Sequence, residues 1–263
     1  MGLFDKLIGK RKTDETDAES RSSSPLSPAT DVSPHDFGAD QVLAVPSREA
    51  LAALDELRRQ RAASGLVPVI LGGSEDLALL LDTRQIVEED GLSPSQALER
   101  ANSLDPSTWL KSAAAQREAD AKVDPEILND VGTWPLFAPG RAKIETHLKV
   151  PGNRVYLATF RTDASWKVLA LLLWSSFNYD MGPDIHAAMH RRWNGLYASE
   201  VVSVTGDVIQ CHVANPPRAK DDAMKLAWEH YYYCPDIVSQ GIGTVSALAA
   251  TLLNADTWYF WWD

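Results

Sequence analysis

The sequence predicts an α+β fold, a mixed and largely antiparallel sheet packed with helices. Three observations predict it. Residues 200–213 read as a hairpin, two β-rich runs about the turn Thr205-Gly206-Asp207. Helix starts are signalled by Ser93-Pro94, Asp105-Pro106 and Asp124-Pro125, since proline suits the first helical position. Strands and helices then interleave without the steady rhythm of βαβ units, which disfavours a doubly wound sheet.

Taken in order, residues 1–12 (MGLFDKLIGKRK) form a short basic amphipathic segment, with Leu3, Phe4, Leu7 and Ile8 at helical spacing among Lys6, Lys10, Arg11 and Lys12. Two readings stay open for it: a frayed tail, or a weak and transient contact with a membrane surface or a partner. Residues 13–45 are dominated by Ser, Asp, Thr and Pro. A stretch with so little to bury does not offset its ordering entropy, so a disordered linker is expected there. The folded domain is expected over 46–263, helix-rich in 46–140.

Ser47 precedes a helical pattern of Leu51, Leu54 and Leu57 that Gly65 ends. Residues 66–71 are β-like, and Pro68 hints at an edge strand. Gly72-Gly73 then lead into a helix with Ser74 as N-cap and Glu75 and Asp76 in its first turn. Neither a dinucleotide fingerprint nor a phosphate loop is present, so a plain strand-to-helix turn is expected. Residues 154–161 read as a strand. Residues 166–174 are apolar but for Lys167, and periodicity does not separate strand from helix there. Residues 183–198 form a helix carrying Ile185, Met189, Trp193 and Leu196 on one side. A helix to Tyr233, a turn at Cys234-Pro235-Asp236, a helix over 244–254 and a strand over 258–262 complete the chain.

Composition bounds the function. The 263 residues carry a formal net charge of -11, which argues against nucleic-acid binding, where phosphates need an excess of Lys and Arg. The two cysteines, Cys211 and Cys234, lack metal-type spacing and fit a reducing compartment. No signal peptide and no apolar run of about 18 residues is visible, so a cytoplasmic protein without a transmembrane segment is expected. No cofactor fingerprint appears, and no cofactor and no metal are expected.

The chemically dense stretch is 226–263. His230 and Cys234 stand four apart on one helix face, the skeleton of a thiolate nucleophile with its base. Asp236 would orient the histidine and Gln240 would donate to an oxyanion. Ala223 and Ala227 continue that face, and a helix C-terminus raises a thiol pKa, so a packed cysteine beside a hydrogen-bonded histidine is the stronger expectation. His186 and His190 repeat the spacing but lack the glutamate of a zinc protease, Ala187 standing there, and read as partly exposed helix histidines. Alternation along the hairpin puts Cys211 in the core and His212 on the other face.

Trp134-Pro135, Arg192-Trp193, Pro216-Pro217, Glu229-His230, Cys234-Pro235-Asp236, Gln240-Gly241, Gly243-Thr244 and the closing Phe260-Trp261-Trp262-Asp263 form a combined pattern. With it the chain resembles the bacterial domain-of-unknown-function family numbered 4253, closely over 153–263, more loosely over 66–134, and not over the first 45 residues. The resemblance implies a compact bacterial cytoplasmic domain and no particular reaction. It places His230, Cys234, Asp236, Gln240 and Asp263 in the family pattern. The expected function is a non-enzymatic protein-interaction domain, immunity-like or partner-binding, for another bacterial protein. Trp193, Trp261 and Asp263 are its candidate contacts. The second reading is a hydrolase or acyl-transfer enzyme using Cys234 and His230.

Overall fold

Strand propensity and helix caps assemble into one six-stranded mixed sheet with helices on both faces. The computed structural model describes residues 28–123, 131–136, 154–176 and 181–263. The basic segment 1–12 lies outside them, as does the helix start at Asp124-Pro125.

The first strand, β1 (Gln41–Pro46), is followed by α1 (Ala50–Ser64), β2 (Leu66–Gly72), α2 (Ser74–Glu89), α3 (Pro94–Ser103) and α4 (Pro106–Val123). Then come β3 (Arg154–Arg161), α5 (Lys167–Leu171), α6 (Pro183–Tyr197), and the hairpin of β4 (Ser199–Val204) and β5 (Val208–Val213). Last are α7 (Lys220–Tyr233), a π-helical turn (Ile237–Ile242), α8 (Val245–Leu252) and β6 (Thr257–Trp261). The sheet order is β1-β3-β2-β4-β5-β6, antiparallel except between β2 and β4.

The local chemistry explains several ends. Ser93 and Gln96 cap α3 reciprocally, the Ser93 N–H donating to Gln96 Oε1 at 2.9 Å. Thr244 accepts from the Ala247 N–H to start α8. At the β2–α2 turn the N-cap is Gly73, one residue before the expected Ser74, and its N–H donates to Asp76 at 2.8 Å. Gly72 takes φ +87°, a conformation that glycine adopts without a Cβ penalty. The apolar run at 166–174 resolves as the short helix α5 and the turn after it. All of its residues but Lys167 and Leu171 are buried, so the apolar pattern is too continuous to show either period.

Successive side chains of a strand point to opposite faces, and the two faces carry separate cores. On one face Val69, Leu71, Ala158, Phe160, Val201, Ile209, Cys211, Trp258 and Phe260 meet α3, α5, α6, α7 and α8. On the other, Val45, Ile70, Val155, Leu157 and Val202 meet Ala50, Ala53 and Leu54 of α1.

Two expectations are corrected here. The stretch 13–45 is not linker to its end. Residues 34–37 form a 3-10 helix that buries Phe37, and Val42, Leu43 and Val45 are buried as β1 pairs with β3. A few apolar residues, held by a whole strand ladder, outweigh a polar composition. Pro68 does not mark an edge, because β2 lies inside the sheet. Opposite it, the Thr159 carbonyl accepts from the Asp40 N–H, on the β1 side. The Pro68 nitrogen therefore faces β4, and the β2–β4 pairing lies at Ile70 and Ser203, two residues further on. A missing N–H costs nothing at that place.

Candidate functional site

The C-terminal unit is built by α6, α7 and β6. The end of α7 runs over β6, whose Trp258 and Phe260 point into the helical core and whose Tyr259 and Trp261 point to the opposite face, half-buried. Cys234 follows the last turn of α7, where its N–H donates to the His230 carbonyl at 2.8 Å. That backbone bond, and not a thiol–imidazole pair, is what joins the two candidate residues.

Their side chains go separate ways. The Cys234 thiol donates to the Trp261 carbonyl at 3.0 Å and is 0% exposed. Burial pushes its pKa well above the ordinary thiol value, so it is held as a thiol and not a thiolate. The His230 imidazole, 1% exposed, sits in an aromatic cage with ring centroids 4.7 Å from Trp193, 4.8 Å from Trp258 and 4.7 Å from Phe260. Its Nε2 has no hydrogen-bond partner among the described residues. Burial, with the neighbouring His190 second, holds its pKa well below the ordinary histidine value.

Asp236 does not orient His230. Its carboxylate accepts from the Asp263 N–H at 3.1 Å and from Gln240 Nε2 at 3.2 Å. The same bond takes up Gln240, so the turn after α7 is clamped to the last residue of the chain. Of the expected contact residues, Trp193 is 0% exposed and unavailable to a partner. Its indole N–H donates to Glu229 at 2.9 Å, in a carboxylate that Arg192 grips through two nitrogens at 2.7 and 3.1 Å. Trp261 is half-buried, its indole N–H donating to Asp207 at 3.1 Å, and Asp263 is exposed.

Residues 156–263 match the model of one family. That family is described as a domain of unknown function, DUF4253. The match bears out the resemblance read from the sequence. No curated protein and no solved structure matches the chain. All of the candidates at 193–263 fall inside the DUF4253 segment.

The histidines expected to be partly exposed are also in that segment, and they are buried. α6 packs on α3, α4, α5 and β4 and meets the rings of α7, so its middle turns, which carry both histidines, are covered on all sides. His186 Nδ1 lies 2.6 Å from the Tyr233 hydroxyl, and His190 Nδ1 lies 3.5 Å from Cys211 Sγ. The close cysteine–histidine contact thus joins Cys211 and His190. Burial lowers the pKa of His190 to about 3 and raises that of Cys211 to about 12, so this pair too is neutral. Cys211 itself sits in the core as alternation predicts. Among the described residues no cluster of His, Cys, Asp or Glu suits a metal ion, and no helix is long and apolar enough to cross a membrane.

Sequence reasoning passed over Glu229 as the acceptor for Arg192 and Trp193. The available signal was its spacing: Glu229 stands one residue before His230 and so lies on the flank of the buried face.

Proposed function

We propose that the chain acts by binding another protein in the bacterial cytoplasm, as an immunity-like or partner-binding domain. The observation that carries this reading is the sealing of Cys234. A nucleophile needs an accessible thiolate, and this thiol is enclosed, protonated and committed to a carbonyl. The hydrolase or acyl-transfer alternative therefore lacks its first requirement. The half-buried Trp261 and exposed Asp263 at the end of β6 are the partner contacts within the DUF4253 segment, an aromatic anchor beside a charge.

The test uses the full chain as bait in its host, with Trp261→Gln and Asp263→Lys as controls that keep the native circular dichroism. A partner retained by the parent chain and lost by both variants is the expected result. Rapid alkylation of the folded protein, selective for Cys234, would overturn the reading and restore the enzyme alternative.

A further inference from the structure

We infer that the cleft between β2 and β4 binds the carboxylate or phosphate group of a small molecule, held by arginines of α1. This goes beyond the partner-binding reading and does not depend on it. The cleft starts from Pro68. With no N–H to offer, Pro68 leaves β2 unpaired toward β4 at this level, and the strands part. The facing Val201 N–H is satisfied instead by the Ser165 hydroxyl at 3.0 Å. A cleft of about 350 Å³ results, floored by Val67, Pro68 and Val201. That volume lies at the small end of the range, roughly 300–1,000 Å³, usual for small-molecule sites.

Its mouth is lined by three guanidiniums, those of Arg58, Arg59 and Arg61, and by the carboxylates of Asp55 and Glu200. Arg58 Nη2 donates to one oxygen of Glu200 at 2.7 Å and Arg61 Nη1 to the other at 2.5 Å. One carboxylate bridging two guanidiniums shows that their spacing suits an oxyanion. Burial pushes the Glu200 carboxyl up, but Arg58 and Arg61 prevail and hold it below the usual range. Arg61 Nη2 also reaches the Asp163 carbonyl at 2.7 Å, and Arg58 Nη2 lies 3.3 Å from His212 Nδ1. Each guanidinium carries five N–H donors, more than these bonds use, and a second oxyanion would take the remainder in the planar geometry that arginine favours. Arg59, paired with Glu56 at 2.6 Å and 67% exposed, stands at the rim, where it would meet an incoming anion first.

The test titrates the full-length protein with inorganic phosphate and, separately, with malonate, at ionic strength held constant with sodium chloride. The readouts are the thermal midpoint and the proton resonances of the His212 ring. A saturable rise in the midpoint, with a matching shift of the His212 signals, is expected for one anion or both, and the stronger of the two names the ligand class. Arg58→Gln should abolish it. Arg59→Gln, at the exposed rim and neutral for folding, should weaken it roughly tenfold, as for one lost charge-assisted bond. A midpoint that rises without saturation, or equally in chloride, overturns the inference. So does saturable binding that Arg59→Gln leaves unchanged and that does not move His212, a result that needs no folded Arg58 variant.

Discussion

The Cys234 thiol and the Trp261 carbonyl, 3.0 Å apart, fasten the end of α7 to the final strand. The bond lies on the side of β6 away from β5, since the alternate Trp262 N–H is the one that donates to the Asp207 carbonyl on the hairpin. Cys234→Ser replaces the sulfur by a shorter, more polar group that reaches the carbonyl less well. A loss of about 1–2 kcal/mol is expected, measured by denaturant unfolding. Cys234 and Cys211 should both alkylate far more slowly in the folded than in the unfolded protein, followed by mass spectrometry.

His230 is held by aromatic packing around an imidazole whose Nε2 has no described partner. His230→Ala leaves a cavity among Trp193, Trp258 and Phe260 and should cost about 3–5 kcal/mol. His230→Phe keeps the ring and removes the buried nitrogen. It should cost clearly less, and equal losses for the two variants would show that a specific hydrogen bond of the imidazole matters.

Acid should destabilise the fold through the same histidines. Burial lowers the folded pKa of His190 from 6.5 to about 3, and lowers His186 and His230 as well. Below pH 6.5 the unfolded chain therefore binds protons that the folded chain refuses. Stability is complete above that value and falls as pH drops toward the folded pKa, by about 1.4 kcal/mol per pH unit for each histidine once well below 6.5. Denaturant unfolding at pH 7 and pH 5 would show the fall, and His230→Phe should make the slope shallower.

Phe37 tests the corrected boundary. It is buried beside β1, in the stretch that composition assigns to linker. Phe37→Ala should cost about 3–5 kcal/mol, and removal of residues 28–45 should abolish cooperative unfolding. A chain that keeps its thermal midpoint without β1 would show that this strand adds nothing to the core.

Much of the element order was legible because its signals are local. The Ser-Pro and Asp-Pro starts of α3 and α4 and the hairpin of β4 and β5 are each written in a few adjacent residues. What escaped was decided at long range. The buried strand β1 depends on its pairing with β3, more than 100 residues away. Pro68 reads as an edge residue until the offset between β2 and β4 is known. The spacing of His230 and Cys234 is local and joins them through the backbone, but the directions of their side chains depend on β6. The partnership of His190 with Cys211 joins a helix to a strand, and no spacing in the sequence reports it.

The position of β3 in the sheet sets the limits of what folds as a unit. β3 lies almost wholly within the matched residues 156–263, but both of its neighbours, β1 and β2, come from earlier in the chain. The rest of the matched stretch, β4 to β6, touches that part of the sheet through β2. Expressed by itself, the matched stretch would hold one strand exposed along both edges and separated from the other three. The edge of the matched stretch therefore cuts through the sheet, and a fragment trimmed to it would lack both neighbours of β3.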